Sequence, residues 1–372
     1  MSPRHVVDRA ALDSEAAAAA PALLDAARAR IAEAGAEALL VTAPANVRYL
    51  SGFSTPADGR VLVTSDGAWL ITDDRYTVQA AEESWLAEQV IADDWPARVA
   101  ELAAGQTLAI EAEHLTVAQL GKLEKHLGRE IVTSEGLLRP LRMRKRPFEI
   151  AWLREAARLT DLALSHVVET LLRPGVRELD VALELERVMR ADGADGASFE
   201  IIVASGPRSA MPHGVASDRR IEAGDLVTID VGAKVAGYHA DMTRAIGVGP
   251  VAEPLRGWYD AVLAAQRAAL KAVAPGVTGV ELDGVARRQL AQSDLAESFT
   301  HSLGHGTGLE IHEGPSLSSR STDTLEPGMV VTVEPGVYVA GVGGLRIEDL
   351  VLVTEDGHAL LSATPTDYRE VG

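Results

Sequence analysis

The chain of 372 residues contains an internal repeat, in which residues 224–237 and residues 328–341 follow the same pattern. Seven of the fourteen aligned positions are identical, and Asp230 in the first copy falls on Glu334 in the second. Each copy begins as a run of Val, Ile and Leu, which predicts a buried β-strand. A buried strand should not end in an ionised carboxylate, because a buried charge must be paired or bound to a cation. Two carboxylates at matched positions therefore predict two related β units that share one site.

Length, composition and charge limit the class of protein. A chain of this length exceeds the size that one hydrophobic core usually supports, so two domains are expected. The residues are 47% hydrophobic and 24% charged, as in an ordinary soluble globular protein. The net charge of -19 would repel phosphate backbones, and no stripe of Lys and Arg with interleaved aromatic residues offsets it. Nucleic acid is therefore not expected as a partner.

The chain has no cysteine, which excludes disulfides, thiolate metal sites and a cysteine nucleophile. The lack of cysteine fits a cytoplasmic protein. Acidic residues interrupt every apolar run near the N-terminus, so we predict neither a leader peptide nor a membrane span there. We predict an Ala-rich helix instead, capped by Asp13 or Ser14.

The N-terminal part alternates between short β-like runs and helical runs, which predicts a small α/β domain with helices on a mixed sheet. The predicted strands are residues 38–42, 60–64, 68–72 and 107–110, and the predicted helices are residues 74–86, 95–104 and 116–127. We assign residues 1–140 to this domain, residues 141–147 to a basic linker, and residues 148–372 to an α+β domain that carries the repeat.

The basic segment from Arg139 to Pro147 is bounded by prolines, which discourage a helix across it. A run of this kind is more often a solvated linker than a binding patch. Beyond it, the spacing of apolar residues predicts helices over 148–172 and 178–190. From Phe199 onward we expect Gly-punctuated β-hairpins, with one further pair of helices between residues 254 and 290.

The first repeat is predicted to form a hairpin of residues 226–231 and 238–243. Pairing residue 233 with residue 238 places Asp230 opposite Asp241, with Cβ atoms about 5 Å apart, where two bare carboxylates would repel. A divalent cation between them removes this objection. The alternative is that one acid is a protonated or salt-bridged structural residue and the other is exposed. The second repeat again brings two acids, Glu334 and Glu348, into an apolar β context, which favours a shared site.

Histidines flank both hairpins. His213 precedes the first hairpin and His312 precedes the second, while His301 and His305 lie between the two halves. Glycines around His305 make a regular helix improbable, so we expect a loop that approaches a site closely, not a helical zinc motif. A single histidine is more often a hydrogen-bonded structural residue. Four of them in two Gly-rich segments beside paired acids favour a common site.

Four carboxylates and one imidazole carry a charge of -4, which two divalent ions neutralise. Oxygen-rich ligands with one nitrogen suit Mn(II), the first choice, and also Fe(II) or Co(II), with Zn(II) as a further candidate. Two ions roughly 3.5 to 4 Å apart activate a bridging water and polarise a carbonyl, so hydrolysis of an amide or ester is the expected chemistry. Histidines that do not bind metal would move protons or stabilise the oxyanion.

Short motifs in one order across residues 199–353 resemble the Xaa-Pro peptidases, prolidase and aminopeptidase P, of the "pita-bread" metallopeptidase superfamily. The helix at 148–172 and residues 46–53 also resemble parts of this family, so the resemblance covers most of the chain. The motifs are Pro212-His213-Gly214, Asp230-Val231-Gly232, Asp241-Met242-Thr243-Arg244, residues 301–308, Ile311-His312-Glu313, Val333-Glu334-Pro335-Gly336 and Arg346-Ile347-Glu348-Asp349.

The resemblance implies a role for each matching residue. The five implied metal ligands are Asp230, Asp241, His305, Glu334 and Glu348. Asp230 and Glu348 are implied to bridge or chelate the two ions, and Glu334 is also implied to accept the proton of the attacking water. The residues implied to bind substrate and stabilise the tetrahedral intermediate are His213, His301 and His312. Arg346 is implied to hold a ligand carboxylate or the substrate. The only departure follows Arg244, where Ala245 replaces the usual threonine and touches no ligand.

The function that the resemblance implies is a dinuclear metallo-exopeptidase that removes an N-terminal residue preceding proline. Its partners would be short peptides with proline at the second position, with no membrane partner, and it would form a homodimer. The alternatives are a methionine-aminopeptidase-like or broader aminopeptidase, a creatinase-like hydrolase without metal, and a binding protein. The N-terminal domain argues against a methionine aminopeptidase, and the intact ligands argue against the creatinase-like hydrolase and the binding protein. Whether the substrate is a dipeptide or a longer chain stays open.

Overall fold

The computed structural model describes residues 8–372, which form two compact units that divide between Arg142 and Met143. The predicted absence of a leader peptide falls partly on residues 1–7, which lie outside the described residues. Within residues 8–372, no helix combines the length and the apolar character that crossing a bilayer requires.

The first unit is built on one mixed six-stranded sheet in the order β4-β3-β2-β1-β5-β6. Its helices are α1 (Arg9–Glu33), α2 (Pro44–Ser51), α3 (Thr77–Glu83), α4 (Trp95–Leu102) and α5 (Val117–Leu127), followed by α6 (Arg139–Met143) at the division between the units. Its strands are β1 (Ala38–Val41), β2 (Arg60–Val63), β3 (Ala68–Thr72), β4 (Glu88–Ile91), β5 (Leu108–Glu111) and β6 (Val132–Ser134). The predicted α/β architecture is confirmed.

The first unit differs from prediction in helix α2, in two edge strands and in the start of α1. Helix α2 (Pro44–Ser51) was not predicted. The edge strands β4 and β6 carry no clear alternation of apolar residues and were not predicted. Helix α1 begins earlier than predicted, because the side chain of Asp8 caps it by accepting a hydrogen bond from the backbone N–H of Ala11 at 3.1 Å. The predicted caps at Asp13 and Ser14 are wrong.

The basic segment is not a solvated linker. Residues Arg139–Met143 form helix α6, so the prediction that prolines exclude helix is wrong there. Arg142 and Lys145 are buried. Lys145 donates its backbone N–H to the carbonyl of Gly328 at 2.8 Å, so the segment pairs with the first residue of the second repeat.

The second unit contains two pairs of helices, a four-stranded sheet and an antiparallel five-stranded sheet, together with a three-stranded sheet and a two-stranded ribbon. The helices are α7 (Pro147–Thr170), α8 (Glu178–Ala191), α9 (Leu255–Ala272) and α10 (Gly279–Ala291). The strands of its first half are β7 (Gly196–Ala197), β8 (Ile202–Ser205), β9 (Asp225–Val231), β10 (Ala233–Val235), β11 (Tyr238–His239) and β12 (Met242–Val248). The remaining strands are β13 (Gly304–Gly306), β14 (Glu313–Leu317), β15 (Val330–Val333), β16 (Gly336–Val339), β17 (Gly343–Arg346), β18 (Asp349–Thr354), β19 (Gly357–Leu360) and β20 (Glu370–Val371). The four-stranded sheet is antiparallel except for β20, which is parallel to β12.

The two halves of the second unit repeat one arrangement, in agreement with the internal repeat in the sequence. Helices α7 and α8 pack on the first half, whose larger sheet has the order β20-β12-β9-β8. Helices α9 and α10 pack on the second half, whose sheet has the order β14-β13-β15-β18-β19. Buried aliphatic residues of α9, α10 and the second sheet form one continuous core.

The hairpin register differs by two residues from the prediction. Asp230 pairs with Thr243, not with Asp241, and Val235 pairs with Tyr238. The chain reverses in a two-residue loop in which Ala236 and Gly237 both have positive φ, 51° and 85°, as a tight hairpin turn requires. Because side chains alternate with a period of two, the shift keeps Asp230 and Asp241 on one face.

Glu149 ties the start of α7 to the first hairpin. One carboxylate oxygen accepts the backbone N–H of Arg146 at 2.9 Å, and the other accepts the hydroxyl of Tyr238 at 3.2 Å. The carboxyl is almost fully buried, and this burial raises its pKa from 4.5 to about 7. A raised folded-state pKa means that the folded protein holds a proton that the unfolded chain releases between about pH 4.5 and pH 7.

We therefore expect the Glu149 carboxyl to lower the free energy of unfolding as pH rises through this window. Glu149→Gln cannot ionise, so its stability relative to wild type should increase from pH 4.5 to about pH 8, by about 1.4 kcal/mol for each unit of pKa shift. Urea unfolding at both pH values measures this difference. Glu169→Gln, at an exposed position on the same helix, is the control. Parallel pH curves for Glu149→Gln and wild type would contradict the expectation.

Candidate metal centre

The acids identified in the sequence lie at strand ends that face one cavity. Asp230 lies near the end of β9 and Asp241 directly before β12, while Glu334 directly follows β15 and Glu348 directly precedes β18. The register of the second hairpin places Glu334 opposite Glu348. The cavity has a volume of about 540 Å³ and is lined by all nine predicted site residues: His213, Asp230, Asp241, His301, His305, His312, Glu334, Arg346 and Glu348.

His305 lies on β13, between β14 and β15 in the second sheet. The Gly-rich segment around it is a short strand, so the prediction of a loop is wrong at Gly304–Gly306. The prediction of close approach was sound, since a Cβ on Gly304 would lie 2.1 Å from the carbonyl oxygen of Thr332. Glycine therefore allows β13 to bring His305 against the strand that leads to Glu334.

Three carboxyl groups of the cavity, those of Asp241, Glu334 and Glu348, resist ionisation in the protein alone. Burial raises the pKa of Asp241 and Glu348 well above the usual values, and the neighbouring carboxylates raise both further. Burial also raises the pKa of Glu334 to about 7, although Arg346 opposes the shift. Bound cations would neutralise the ionised carboxylates of this cluster and so favour their ionised form.

The ring of His305 is oriented to bind a cation. Its Nδ1 lies 3.0 Å from the carbonyl oxygen of Gly306, which can only accept, so Nδ1 carries the proton. Burial lowers the pKa of the ring, which favours the neutral form. Its unprotonated Nε2 then faces oxygens of Glu334 at 3.3 Å and Asp241 at 3.6 Å. A lone pair that faces two carboxylates fits a shared cation.

Buried carboxylate oxygens without hydrogen-bond partners also indicate a cation site. Ligand atoms of Asp241, His305 and Glu348 all lie within 4.8 Å of one another. Asp230 Oδ1 and Glu348 Oε1 are buried side-chain oxygens with no hydrogen-bond partner. Buried carboxylate oxygens are normally hydrogen-bonded, and divalent cations take such oxygens as ligands. The residues present therefore fit divalent metal ions.

Arg346 is engaged by protein groups in the cavity wall. Its Nη2 donates to Asp230, its Nε donates to the hydroxyl of Thr243 at 2.9 Å, and its Nη1 donates to the hydroxyl of Tyr338 at 2.8 Å. The guanidinium is buried, with its side chain 5% exposed. Of the two implied roles, these contacts favour holding a ligand carboxylate over binding substrate.

The three remaining histidines differ in their surroundings. The Nδ1 of His301 lies 2.8 Å from the carbonyl oxygen of Ser302, and its Nε2 lies 3.1 Å from the hydroxyl of Tyr338. Burial lowers the pKa of His301 to about 3, so its ring is neutral. The rings of His305 and His312 lie 4.3 Å apart. His213 and His312 are more exposed than His301, within reach of a ligand in the cavity.

A buried ion pair and a buried carboxylate hold the segments that carry two of these histidines. Lys145 contacts Glu313, next to His312, at 2.5 Å, and the side chains of this pair are 1% and 6% exposed. Glu178 accepts hydrogen bonds from the backbone N–H groups of Ser205, at 2.8 Å, and Ser217, at 3.1 Å. These bonds hold both ends of the segment that contains His213. The backbone near each exposed histidine is therefore anchored by a buried side chain.

Several residues of the site were not found from the sequence. Thr243 donates its hydroxyl to Glu348 at 2.7 Å, and the correct register, which places it opposite Asp230, would have identified it. Tyr338 had no motif to mark it. The apolar residues that line the cavity come from separate segments and carry no joint signal in the sequence: Phe199, Ile202, Pro212, Val215 and Ile311.

Comparisons with known proteins agree with this geometry. Residues 151–355 match the model of metallopeptidase family M24, and residues 24–144 match the Creatinase/Prolidase N-terminal domain. The chain is 39% identical over 331 residues to an Xaa-Pro dipeptidase from Pyrococcus horikoshii, covering 88% of this chain and 93% of the relative.

Solved structures extend the likeness to the whole fold. An Xaa-Pro dipeptidase from Bacillus anthracis superposes with a TM-score of 0.91 at 41% identity, covering 95% of this chain and 100% of that chain. An X-Pro aminopeptidase from Thermotoga maritima superposes with a TM-score of 0.85 at 37% identity, covering 91% and 98%. The predicted pita-bread fold, with its N-terminal α/β domain, is confirmed. The chain belongs to metallopeptidase family M24.

Proposed function

We infer that this protein is a metal-dependent exopeptidase that hydrolyses the bond between an N-terminal residue and a following proline. The observation that carries this inference is the convergence of Asp230, Asp241, His305, Glu334 and Glu348 on one cavity. Relatives of similar length that carry the name Xaa-Pro dipeptidase support the choice of substrate.

The five converging residues are the proposed metal ligands. Divalent ions bound there would lower the pKa of a water molecule and polarise the scissile carbonyl. Glu334 is proposed to accept the proton of the attacking water, since its carboxylate lies in the cavity beside His305. Arg346 holds Asp230 in place.

The remaining histidines are proposed to act on the peptide. His213 and His312 line the cavity and are exposed, so they can donate to the substrate carbonyl and to the oxyanion of the tetrahedral intermediate. His301 is proposed to assist in the same task. Its Nε2 meets the hydroxyl of Tyr338, so His301 acts together with that residue.

The apolar part of the cavity suits proline. Phe199, Ile202, Val215 and Ile311 offer hydrocarbon surface to the pyrrolidine ring. A tertiary amide has no N–H, and the ring fixes φ. A pocket that requires no hydrogen bond from this position therefore accepts proline in a place where most peptidases need an N–H.

The identity of the metal, the oligomeric state, the location and the domain bounds are also part of the proposal. The oxygen-rich ligand set supports Mn(II) as the working ion, with Co(II), Zn(II) or Fe(II) as the other candidates. We also propose a homodimer located in the cytoplasm. The functional domains are proposed as residues 1–140 and 148–372, with residues 141–147 connecting them.

A paired assay tests the proposal. Purified protein would be supplied in turn with Mn(II), Co(II) and Zn(II), and offered an Xaa-Pro dipeptide and an Xaa-Pro-Xaa tripeptide together with matched peptides that carry alanine in place of proline. We expect metal-dependent cleavage before proline, with the alanine peptides cleaved more slowly. Preferred cleavage of the alanine peptides would indicate a broader or methionine-type aminopeptidase. The ratio of the two proline rates determines whether the protein is a dipeptidase or an aminopeptidase.

A further inference from the structure

Helix α10 carries an acid–base pair, Asp283 and Arg287, whose hydrogen bonds reach the segment that contains His301. The guanidinium of Arg287 donates to the carbonyl of Phe299 at 2.9 Å and to the carbonyl of His301 itself at 2.7 Å. Asp283 accepts the backbone N–H of Leu303 at 3.1 Å. The two side chains also bond to each other, since Arg287 Nε donates to Asp283 Oδ2 at 2.6 Å. One pair of side chains thus holds the backbone at His301 and on both sides of it.

Residues 300–303 lie outside the helices and strands, just before β13. Backbone polar groups in such a segment need partners from elsewhere, because an unpaired buried N–H or C=O is costly. Asp283 is buried, with its side chain 1% exposed, and neither Asp283 nor Arg287 is among the residues that line the cavity. The pair therefore contacts this segment from the side away from the cavity and does not touch a ligand in the cavity.

The position of this backbone determines where the ring of His301 points. Its Nδ1 bonds to the carbonyl oxygen of Ser302, inside the anchored segment. Arg287 also lies over the ring of Phe299 at 4.5 Å, and that ring meets the ring of His301 edge-on at 4.9 Å. A displacement of residues 299–303 would therefore move the ring of His301 away from the hydroxyl of Tyr338.

We propose that Asp283 and Arg287 are positioning residues that hold His301 in the orientation in which it meets the substrate. The inference rests on the proposed function for its kinetic consequence, but the placement of the ring can be measured without turnover. Buried ion pairs are often replaceable by apolar residues with little loss of stability. Because stability does not require such a pair, we assign it the role of orienting the three backbone groups it binds, which are the carbonyls of Phe299 and His301 and the N–H of Leu303.

The kinetic test is a mutant cycle between Arg287 and His301. We expect Arg287→Met, and the double change Asp283→Leu with Arg287→Met, to lower kcat/KM by about 10- to 100-fold, mainly through kcat, because small misplacements of acting groups have effects of this order. Arg287→Lys, which keeps the charge and one donor, should recover part of the loss. In a His301→Ala background, Arg287→Met should have no further effect.

The matched control is Arg256→Met with Asp260→Leu, which removes a partly exposed i,i+4 ion pair from the neighbouring helix α9. We expect kcat/KM of this variant to equal that of wild type. An equal loss from Arg287→Met in the wild-type and His301→Ala backgrounds would overturn the inference, because the pair would then act by general destabilisation. Thermal unfolding of each variant shows how much of the protein is folded during the assay.

A second readout needs no activity. Protein labelled with 13C at histidine Cε1 should give a His301 cross-peak in NMR spectra, identified by its loss in His301→Ala. We expect this peak to shift in Arg287→Met, while the peak of His166, which bonds to Glu184 on α8, keeps its position. An unmoved His301 peak would also overturn the inference. If the wild-type protein did not cleave Xaa-Pro bonds, the proposed function would be rejected. The NMR spectra would still show whether Arg287 determines the position of the His301 ring.

Discussion

Replacing Glu334 by glutamine is expected to lower kcat by about 10²- to 10⁴-fold, the usual contribution of a general base. Glutamine keeps the shape of the side chain and can still accept the hydrogen bond that Thr332 donates to Glu334 Oε1 at 2.9 Å. It cannot accept a proton from water at neutral pH. The change therefore removes the proposed chemical role with little disturbance of the strand. Steady-state kinetics with the metal content measured on the same preparation gives the answer.

The control for this change is Glu355→Gln, at an exposed position in the turn after β18. Its kcat should equal that of wild type, since the residue lies outside the cavity. A Glu334→Gln protein that binds metal as wild type does and turns over at a near-normal rate would refute the role assigned to Glu334. A loss of bound metal together with activity would identify Glu334 as a ligand, and the loss of metal would then account for the loss of activity without a general base.

Removal of divalent ions is expected to abolish turnover, with a loss of at least about 10³-fold. The ions would bring the pKa of water from 15.7 to about 7, and without them no strong nucleophile forms at neutral pH. Dialysis against a chelator, followed by addition of Mn(II), measures both the loss and the recovery. A preparation that stays fully active after thorough metal removal would support a creatinase-like hydrolase instead.

The same experiment should change stability. Without cations, Asp241 and Glu348 are buried among other acids, which raises the pKa of each. Ionising them in the folded protein is unfavourable, so bound cations should stabilise the fold and raise the melting temperature. Thermal unfolding before and after addition of Mn(II) measures this shift. Sodium chloride at the same ionic strength is a control for screening of surface charge.

Much of the site could be predicted because duplication and motif order are properties of the sequence itself. The repeat matched Asp230 with Glu334, and alternation in the flanking strands placed both in β structure. The structure brings these two acids and the other predicted residues to one cavity. Helices with clear periodicity, such as α7 and α8, were also predicted to within a few residues.

The parts that sequence could not predict depend on geometry or on distant partners. The register of the first hairpin depends on a two-residue turn at Ala236-Gly237, which lacks the Asn-Gly or Asp-Gly signature of such turns. The edge strand β4 is partly exposed and so shows no apolar alternation. Lys145 reads as part of a solvated basic run, because its buried partner Glu313 lies 168 residues further along the chain.

The central claim is that the acids of two duplicated β units jointly hold a pair of divalent ions. Anomalous diffraction from crystals grown with Mn(II) tests it most directly. We expect two anomalous peaks, roughly 3.5 to 4 Å apart, within bonding distance of Asp230, Asp241, His305, Glu334 and Glu348. A single peak, or no peak among these side chains in a crystal of active enzyme, would contradict the account.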